Sequence, residues 1–334
     1  MQEIVYQIQA FLERAKQPLL VILGPTASGK TAFSVDLALR LKESGPPSLP
    51  GSYGRARKGV EIINADSRQL YRHLDCGTAK ITEEEMRGIP HHLLSVLDPR
   101  EEVTAAWYKR EATRIIDDIH RRGALPMLVG GSMLYISAII DNLEFAGEAD
   151  PELRRKLSEE YDRDQGASLM KKLEERDPES ALSIDPRNKV YLIRALEICL
   201  LSEGKASRAK KKSACPYDLF ILGITRPRAE LHRRINERVR QMCAAGWGEE
   251  VRGLLARGYT TDDPGLKSHG YREIGETVQS TEYKVQSTKY PSLSESLMDE
   301  IASKTRQYAK RQLTWWKGDE RIRWIDVDDV ACRP

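Results

Sequence analysis

One stretch of this sequence has the residue types and spacing of a phosphate-binding loop. The run GPTASGKT fits the pattern GxxxxGK[ST]. Its glycines allow the backbone to wrap so that successive amides point inward, and a helix that starts at the end of the run would turn its positive dipole end to the same place. We therefore predict a site for a diphosphate or triphosphate, formed by Gly24, Pro25, Thr26, Ala27, Ser28, Gly29, Lys30 and Thr31.

The last two residues of this loop carry the side chains that such a site needs. Lys30 would place a positive charge between phosphate groups, and the hydroxyl of Thr31 would complete the ligand shell of a Mg²⁺ ion. Kinases, GTPases and ATPases all share a loop of this kind. The loop therefore predicts a ligand, and other residues must decide the reaction.

A second group of polar residues follows the apolar run VEIINA, which is typical of a buried strand. At the carboxyl end of that strand, beside the phosphate loop, we expect Asp66, Ser67, Arg68 and Gln69. Composition alone leaves two interpretations of Asp66 open. It is either an aspartate near the magnesium ion, which many phosphate-binding folds keep, or a general base.

The elements that position these residues alternate between strand and helix. The sequence predicts strands at Pro18–Gly24, Val60–Asp66 and Leu125–Gly131, and helices over residues 30–42 and Thr104–Arg122. Such alternation is typical of a parallel sheet covered by helices on both faces. The predicted fold class is α/β, a P-loop NTPase-like parallel sheet flanked by helices.

A different pattern interrupts this alternation. From Asp150 to Leu201 the chain reads as charged amphipathic helices that begin at Asp-Pro pairs, and it therefore predicts an inserted all-helical domain. Strand patterns return at Tyr217–Thr225 and Ile322–Asp326, with long helices between them. We predict a catalytic core in two parts, residues 1–142 and 214–334, around a helical insertion at 143–213.

Three stretches look like additions to this plan. The glycine- and proline-rich Gly45–Gly59 predicts a loop at the edge of the sheet opposite the ligand site. The polar Thr277–Ser296 also predicts a surface loop, and the N-terminal residues form an extension.

The overall composition excludes several classes of protein. The chain has 334 residues, of which 40% are apolar and 31% charged, so disorder and collagen are excluded and two domains are expected. Its five cysteines are scattered and form no CxxC, which argues against a disulfide framework or a cysteine zinc site. The apolar runs are far shorter than the roughly 20 residues of a membrane span. We expect a cytoplasmic monomer that does not contact a membrane.

Basic residues cluster in three places, each of which alone is typical of an ordinary solvated face. These are Lys205–Lys212, Arg226–Arg240 and Lys304–Lys317. The last of them also holds Tyr308, Trp315 and Trp316, a combination that suits contact with an RNA backbone and stacking on its bases. The alternative is an amphipathic helix that packs its aromatic residues inward.

The string IINADSRQLYRHLDCGTAK resembles the tRNA dimethylallyltransferases. The resemblance continues, in order along the chain, through GPTASGKT, IPHHLL, VGGSMLY, RALE, GWGEEVRGLL, GYREI and TRQYAKRQLTWW. Because a C-terminal zinc finger is missing, the chain is similar to the compact bacterial members. The resemblance implies transfer of the dimethylallyl group from dimethylallyl diphosphate to the exocyclic amine of the adenosine immediately 3′ of the anticodon. The partner would be the tRNA anticodon stem-loop.

The resemblance also implies roles for particular residues. Asp66 would accept a proton from the amine as the new bond forms, and it would hold the flipped base together with Ser67, Arg68 and Gln69. Lys30 and Arg252 would act at the diphosphate. Contacts to RNA are implied for Ser132, Arg154, Tyr191 and Arg194.

Two of these positions depart from the family pattern, and a third has a plain alternative. Ser132 stands where threonine is usual, which keeps the hydroxyl. Tyr191 stands where arginine is common, so stacking replaces one interaction with the RNA backbone or that interaction is absent. For Arg252 the alternative is an ion pair with a helical neighbour.

Three other functions remain open from the sequence. A relative of the family could prenylate a free adenine nucleotide, although the helical insertion and the basic C-terminal stretch argue against so small an acceptor. The loop could also serve as an ATPase switch in an RNA-binding module without prenyl chemistry. A small-molecule kinase is the third alternative.

Overall fold

A computed structural model describes residues 1–43, 59–145, 150–201, 206, 213–280 and 293–327 of the chain. In these residues six parallel strands form one sheet with the order β3-β2-β4-β1-β5-β6. The strands are β1 (Pro18–Leu23), β2 (Val60–Ala65), β3 (His91–His92), β4 (Leu125–Gly130), β5 (Asp218–Thr225) and β6 (Ile322–Asp326). The predicted P-loop NTPase-like parallel sheet flanked by helices is confirmed.

Helices connect and cover these strands. They are α1 (Gln2–Leu12), α2 (Lys30–Glu43), α3 (Glu83–Met86), α4 (Ala105–Arg121), α5 (Met133–Ile140), α6 (Pro151–Asp164), α7 (Ala167–Arg176), α8 (Pro178–Ser183), α9 (Lys189–Leu201), α10 (Arg228–Ala244), α11 (Trp247–Ala256), α12 (Tyr271–Gln279) and α13 (Glu295–Trp316). Within the described ranges, no helix combines the length and the apolar character of a membrane span.

The central strands are buried along their whole length. Every residue of β1, β2 and β4 is buried, as expected for strands covered on both faces. In the parallel pairing Leu23 of β1 and Ala65 of β2 both lie opposite Gly130 of β4. Because the three strands end at the same level, the residues that follow them emerge together at one edge of the sheet.

The chain divides into two compact units, which we describe separately. Unit 1 comprises residues 1–140 and 216–334 and contains the sheet. Unit 2, residues 141–215, contains α6 to α9, whose core is formed by Leu157, Leu169, Leu173, Leu192 and Leu196. The helices α6 and α8 begin as the Asp-Pro pairs predict, since Asp150 and Asp177 cap them with their side chains ahead of a proline.

Several details differ from the sequence-based prediction. The N-terminal extension contains α1, an amphipathic helix that buries Ile4, Val5, Ile8 and Leu12 in the core of unit 1. The short strand β3 was not predicted either. The loop predicted at 277–296 is wrong at both ends, because residues 277–279 belong to α12 and residues 295–296 to α13. Three predicted segments lie at least partly outside the described residues: 281–292 of the polar loop, 45–58 of the glycine-rich loop, and 205 and 207–212 of the first basic cluster.

Candidate active site

The predicted phosphate loop connects β1 to α2 and has the backbone that its glycines were expected to allow. Gly24 has a φ of +146°, and a Cβ there would lie 2.1 Å from the carbonyl oxygen of Ile224. Gly29 has a φ of +98°. Both positions therefore require glycine. The first amides of α2 have no partner within the helix and face the loop with the positive end of the helix dipole.

The side chain of Lys30 turns back into this loop. Its Nζ donates a hydrogen bond to the carbonyl oxygen of Pro25 at 2.6 Å. Burial above all, and then the positive charge of nearby Arg238, lower the pKa of Lys30 to about 7, while the charge of Asp66 opposes the change. A bound anion would favour the charged lysine, because an opposite charge in contact offsets the cost of burial.

A buried hydroxyl in the same loop supports an anion as the ligand of this site. Ser28 is fully buried, and its Oγ has no hydrogen-bond partner among the described residues. A buried polar atom without a partner is costly, and such atoms are rare in proteins. Together with Lys30, this hydroxyl offers donors that fit a bound phosphate group.

Arginines at and near α10 surround the loop from the other side. The Nε atoms of Arg226 and Arg234 donate to the carbonyl oxygens of Ser28 and Ala27 at 3.0 and 3.1 Å. Burial lowers the pKa of Arg238, while the charge of Asp66 raises it. Guanidinium groups match phosphate oxygens in geometry and charge. The arginines therefore extend the anion site that the loop begins.

Sequence reasoning missed this role of the second basic cluster, Arg226–Arg240. A signal was present, because Arg234 and Arg238 are four residues apart and so share one face of a helix. What the sequence could not supply was the direction of that face toward the phosphate loop.

Two cavities adjoin the loop. The Asp66 cavity has a volume of about 350 Å³, and its lining includes Asp66, Ser67, Arg68 and Tyr308. The Lys30 cavity, of about 980 Å³, is lined by Gly29, Lys30, Thr31 and Arg234 among others. Both cavities share the side chains of Ala27, Arg238 and Met242. The structure therefore brings the phosphate loop and the Asp66 segment to two neighbouring spaces with a common wall.

The residues after β2 are held in place by local hydrogen bonds. Oδ1 of Asp66 accepts the amide of Arg68 at 2.9 Å, and the hydroxyl of Ser132 accepts the amide of Ser67 at 2.8 Å. The Arg68 guanidinium donates to the carbonyl oxygen of Pro264 at 2.9 Å. Gln69 donates to the carbonyl oxygens of residues 78 and 79 at 3.2 and 3.3 Å. These bonds fix the backbone beside Asp66 and leave its carboxylate facing the cavity.

The basic aromatic stretch Lys304–Lys317 forms most of α13 and contains both buried and exposed aromatic residues. Trp316 is buried, as the amphipathic interpretation predicts. Trp315 is 45% exposed, and its Nε1 donates to Ser137 at 3.1 Å. Tyr308 lines the Asp66 cavity, where burial raises its pKa to about 12. One face of α13 therefore packs on the core, while exposed Lys310 and Lys317 remain available for a partner.

A loop between the two cavities is fixed by one carboxylate. Glu250 accepts the amides of Asp75, Cys76 and Gly77 at 2.8, 2.7 and 3.2 Å. The hydroxyl of Tyr271 donates to the same carboxylate. Because residues of this loop line both cavities, Glu250 helps to shape both.

Two of the three site residues predicted in unit 2 are joined by a buried carboxylate. Arg154 and Arg194 both form ion pairs with Glu197, which is fully buried. Burial alone would raise the pKa of Glu197, but the hydrogen bonds from the two arginines bring it below its usual value. Tyr191 is 52% exposed. The arginines thus have a structural role in unit 2, and the ring of Tyr191 lies at the surface.

Arg252 lies on α11 and forms an ion pair with a helical neighbour, which is the alternative that the sequence left open to a role at the diphosphate. Its guanidinium donates to Glu249, one helical turn away, at 2.7 Å. In the described part of the chain, Arg252 is not among the residues that line the Asp66 or the Lys30 cavity. The arginines that the structure gathers at the phosphate loop are those at and near α10.

Comparisons with known proteins match most of the chain. A family model described as IPP transferase matches residues 69–319. A protein of Geobacter sulfurreducens named tRNA dimethylallyltransferase is 39% identical over 315 residues, which cover 93% of each chain. A protein of the same name from Thermobifida fusca is 38% identical over 315 residues, 93% of this chain and 90% of the relative.

Solved structures of similar proteins share the fold of this chain. The tRNA isopentenylpyrophosphate transferase of Bacillus halodurans is 37% identical, has a TM-score of 0.62, and is matched over 93% of this chain and 90% of its own. A eukaryotic dimethylallyltransferase described as acting on tRNA has a TM-score of 0.73 at 24% identity and supports the fold alone. That match covers 95% of this chain and 75% of the eukaryotic one.

Proposed function

This chain belongs to the tRNA dimethylallyltransferase family, and we propose that it transfers the dimethylallyl group of dimethylallyl diphosphate to the exocyclic amine of the adenosine immediately 3′ of the anticodon, releasing diphosphate. One observation carries the proposal beyond the family. The phosphate loop and Asp66 follow strands that end at the same level, and they border neighbouring cavities. A leaving diphosphate in one cavity and an acceptor amine in the other would therefore lie close to each other, on either side of the shared wall.

The Lys30 cavity would hold the diphosphate end of the donor. As the carbon–oxygen bond of the donor breaks, negative charge grows on the departing diphosphate. Amides of the phosphate loop, Lys30 and the guanidinium groups of Arg234 and Arg238 would stabilise that charge more strongly in the transition state than in the ground state. Preorganised positive charge of this kind is the main catalytic contribution that we assign to the loop.

A magnesium ion fits this cavity through Thr31. The residue stands at the start of α2 and lines the Lys30 cavity. In the described parts of the chain, no three histidine, cysteine or acidic side chains cluster as metal ligands, so most of the ion's ligands would be diphosphate oxygens and water. When bound, the ion would add positive charge against the departing diphosphate.

The Asp66 cavity would receive the adenine. A bond forms between the exocyclic nitrogen and the first carbon of the dimethylallyl group, while the bond from that carbon to the diphosphate oxygen breaks. The nitrogen then loses a proton, which we assign to the carboxylate of Asp66. Ser67, Arg68 and Gln69 would hold the flipped base beside it. Hydrogen bonds to the backbone of this segment keep the carboxylate in position.

Contacts with the tRNA would come from both units. In unit 1 we propose Ser132 and the exposed basic residues of α13 as tRNA contacts. Unit 2 would be the helical insertion that contacts the tRNA, through Arg154, Tyr191 and Arg194. Long cationic side chains near exposed aromatic rings suit backbone contact and stacking. We place Arg252 near the diphosphate on the family resemblance alone. With tRNA as acceptor, the reaction would take place in the cytoplasm.

A direct assay separates this proposal from its alternatives. The protein is incubated with dimethylallyl diphosphate and either an anticodon stem-loop or AMP, and the nucleosides are analysed by mass spectrometry. We expect prenylated adenosine in the stem-loop alone. Prenylated AMP as the main product would indicate the free-nucleotide relative. If no prenylated nucleoside forms and labelled γ-phosphate of ATP is released or transferred instead, an ATPase switch or a kinase is the better explanation.

A further inference from the structure

A buried glutamine links the phosphate loop to the end of β4. Gln312 on α13 is 1% exposed, and both ends of its amide are used. Its Oε1 accepts the backbone amide of Thr26 at 2.9 Å, and its Nε2 donates to the carbonyl oxygen of Gly131 at 2.8 Å. A primary amide is suited to this task, because it offers an acceptor and donors on one rigid plane.

The second of these contacts leads on to the Asp66 segment. Gly131 is followed by Ser132, whose hydroxyl accepts the amide of Ser67 at 2.8 Å. Ser67 in turn follows Asp66. A continuous series of hydrogen bonds and backbone therefore runs from the phosphate loop through Gln312 to the carboxylate that we propose as the base.

We propose that Gln312 is a positioning residue of the transfer reaction: it sets the separation between the phosphate loop and the segment that carries Asp66. This inference rests on the proposed function. It assigns to Gln312 no contact with either substrate. The side chain acts through Thr26 and Gly131, which it holds at a fixed distance from each other.

The surroundings of Gln312 fit this role closely. A Cβ at Gly131 would lie 2.3 Å from Nε2 of Gln312, so the glycine provides the space that the amide occupies. One helical turn earlier, the hydroxyl of Tyr308 lies 3.4 Å from the same carbonyl oxygen and also lines the Asp66 cavity. Helix α13 thus contacts the end of β4 at two successive turns, with Gln312 reaching the phosphate loop as well.

Burial separates Gln312 from the other polar residues of its helix. Its neighbours Lys310 and Arg311 are exposed and suit contact with RNA, whereas the amide of Gln312 is enclosed. Loss of Gln312 should therefore affect turnover and spare RNA affinity. Displacements of about 1 Å between reacting groups lower rates by about 100-fold, so even a small change in the loop would be measurable.

The test compares Gln312→Met, Gly131→Ala and the double variant with the unchanged protein. Methionine has a similar volume but makes neither hydrogen bond, and alanine displaces the amide. We expect each single variant to lower kcat at saturating substrates by about 10- to 100-fold, with the Kd for the anticodon stem-loop within about twofold of the unchanged protein. Because both changes break one linkage, the double variant should be no slower than the slower single variant. Gln279→Met, at an exposed helical glutamine, is the matched control.

Other outcomes overturn the inference. One is a kcat within twofold of the unchanged protein in both single variants. Another is a lower Tm with normal turnover below it, which would show that Gln312 only stabilises the fold. Multiplicative losses in the double variant would show that the two residues act independently. If instead the unchanged protein makes no prenylated adenosine, the proposed function itself fails.

Discussion

The ammonium group of Lys30 donates a hydrogen bond to the carbonyl oxygen of Pro25, 2.6 Å away in the same loop. The carbonyl oxygen thus serves as an acceptor for an ammonium group that a bound phosphate would otherwise engage. Burial brings the pKa of this lysine to about 7, so that its charge depends on pH near neutrality. Binding of an anion should therefore be linked to protonation of this residue.

The first prediction concerns that linkage. In the free protein above about pH 7 Lys30 is largely neutral, and a bound diphosphate raises its pKa, so binding takes up a proton and weakens as the pH rises. Titration calorimetry with inorganic diphosphate at pH 8, in two buffers of different ionisation enthalpy, measures this uptake. We expect the uptake to be smaller in Lys30→Arg, whose side chain stays charged. Equal uptake in both proteins would show that another group binds the proton.

The second prediction concerns Asp66. Asn at this position can still accept the Arg68 amide but cannot act as a base, so Asp66→Asn should lower kcat by about 100- to 10,000-fold with near-normal affinity for the stem-loop. Single-turnover kinetics and a binding titration measure the two effects. The control is Asp299→Asn, at an exposed aspartate of α13. If RNA affinity collapses while bound substrate still reacts, Asp66 is a binding residue.

The third prediction concerns the arginine in the shared wall of the cavities. Arg238→Met keeps much of the side-chain volume and removes a charge beside Lys30, so it should weaken binding of inorganic diphosphate by about 10- to 100-fold. Arg233→Met on the same helix is the control, because Arg233 is exposed and pairs with Glu230 and Glu237. Calorimetry measures both. Equal affinities in the two variants would remove Arg238 from the diphosphate site.

The fourth prediction concerns the carboxylate that holds residues 75–77. In Glu250→Gln an NH2 group would replace one of the two carboxylate oxygens that now accept hydrogen bonds from backbone amides. Because donors would then face each other, the free energy of unfolding should fall by about 1–3 kcal/mol. Chemical denaturation measures this change. Glu276→Gln, which affects an exposed pair with Arg272, should change it by less than about 0.5 kcal/mol. Equal changes in both variants would mean that the Glu250 contacts add little stability.

The fifth prediction concerns the exposed lysines on α13 and at its C-terminal cap. Lys310→Ala and Lys317→Ala should each weaken binding of the stem-loop and reduce the slope of log K against log salt by about one for each phosphate group that the lysine neutralises. Lys42→Ala, at an exposed lysine of α2, is the control and should leave the slope unchanged. Binding titrations at several salt concentrations provide the slopes. Unchanged slopes in the α13 variants would place the RNA elsewhere.

The sheet could be predicted from the sequence because its strands carry a strong local signal. Buried parallel strands are continuous apolar runs, and those of β1, β2 and β4 were located to within a residue. The strand β3 consists of His91 and His92 and has no such run. Its pairing with β2 depends on tertiary structure that no short stretch of sequence encodes.

The site was only partly predictable for a related reason. The phosphate loop and the Asp66 segment are contiguous motifs, whose chemistry can be recognised in the sequence itself. The roles of Arg238 and Gln312 depend on which way α10 and α13 face. An arginine in a charged run and a glutamine in a basic helix look like surface residues until the packing of those helices is known.

The close approach of Gly24 to the backbone of β5 limits how the phosphate loop of this enzyme could be changed. A single added methyl at Gly24 would lie 2.1 Å from the carbonyl oxygen of Ile224, so the floor of the loop cannot be remodelled without separating two strands of the sheet. Directed evolution of donor specificity would therefore act on side chains that line the two cavities, such as those of α10, which can be exchanged without moving the backbone of the loop.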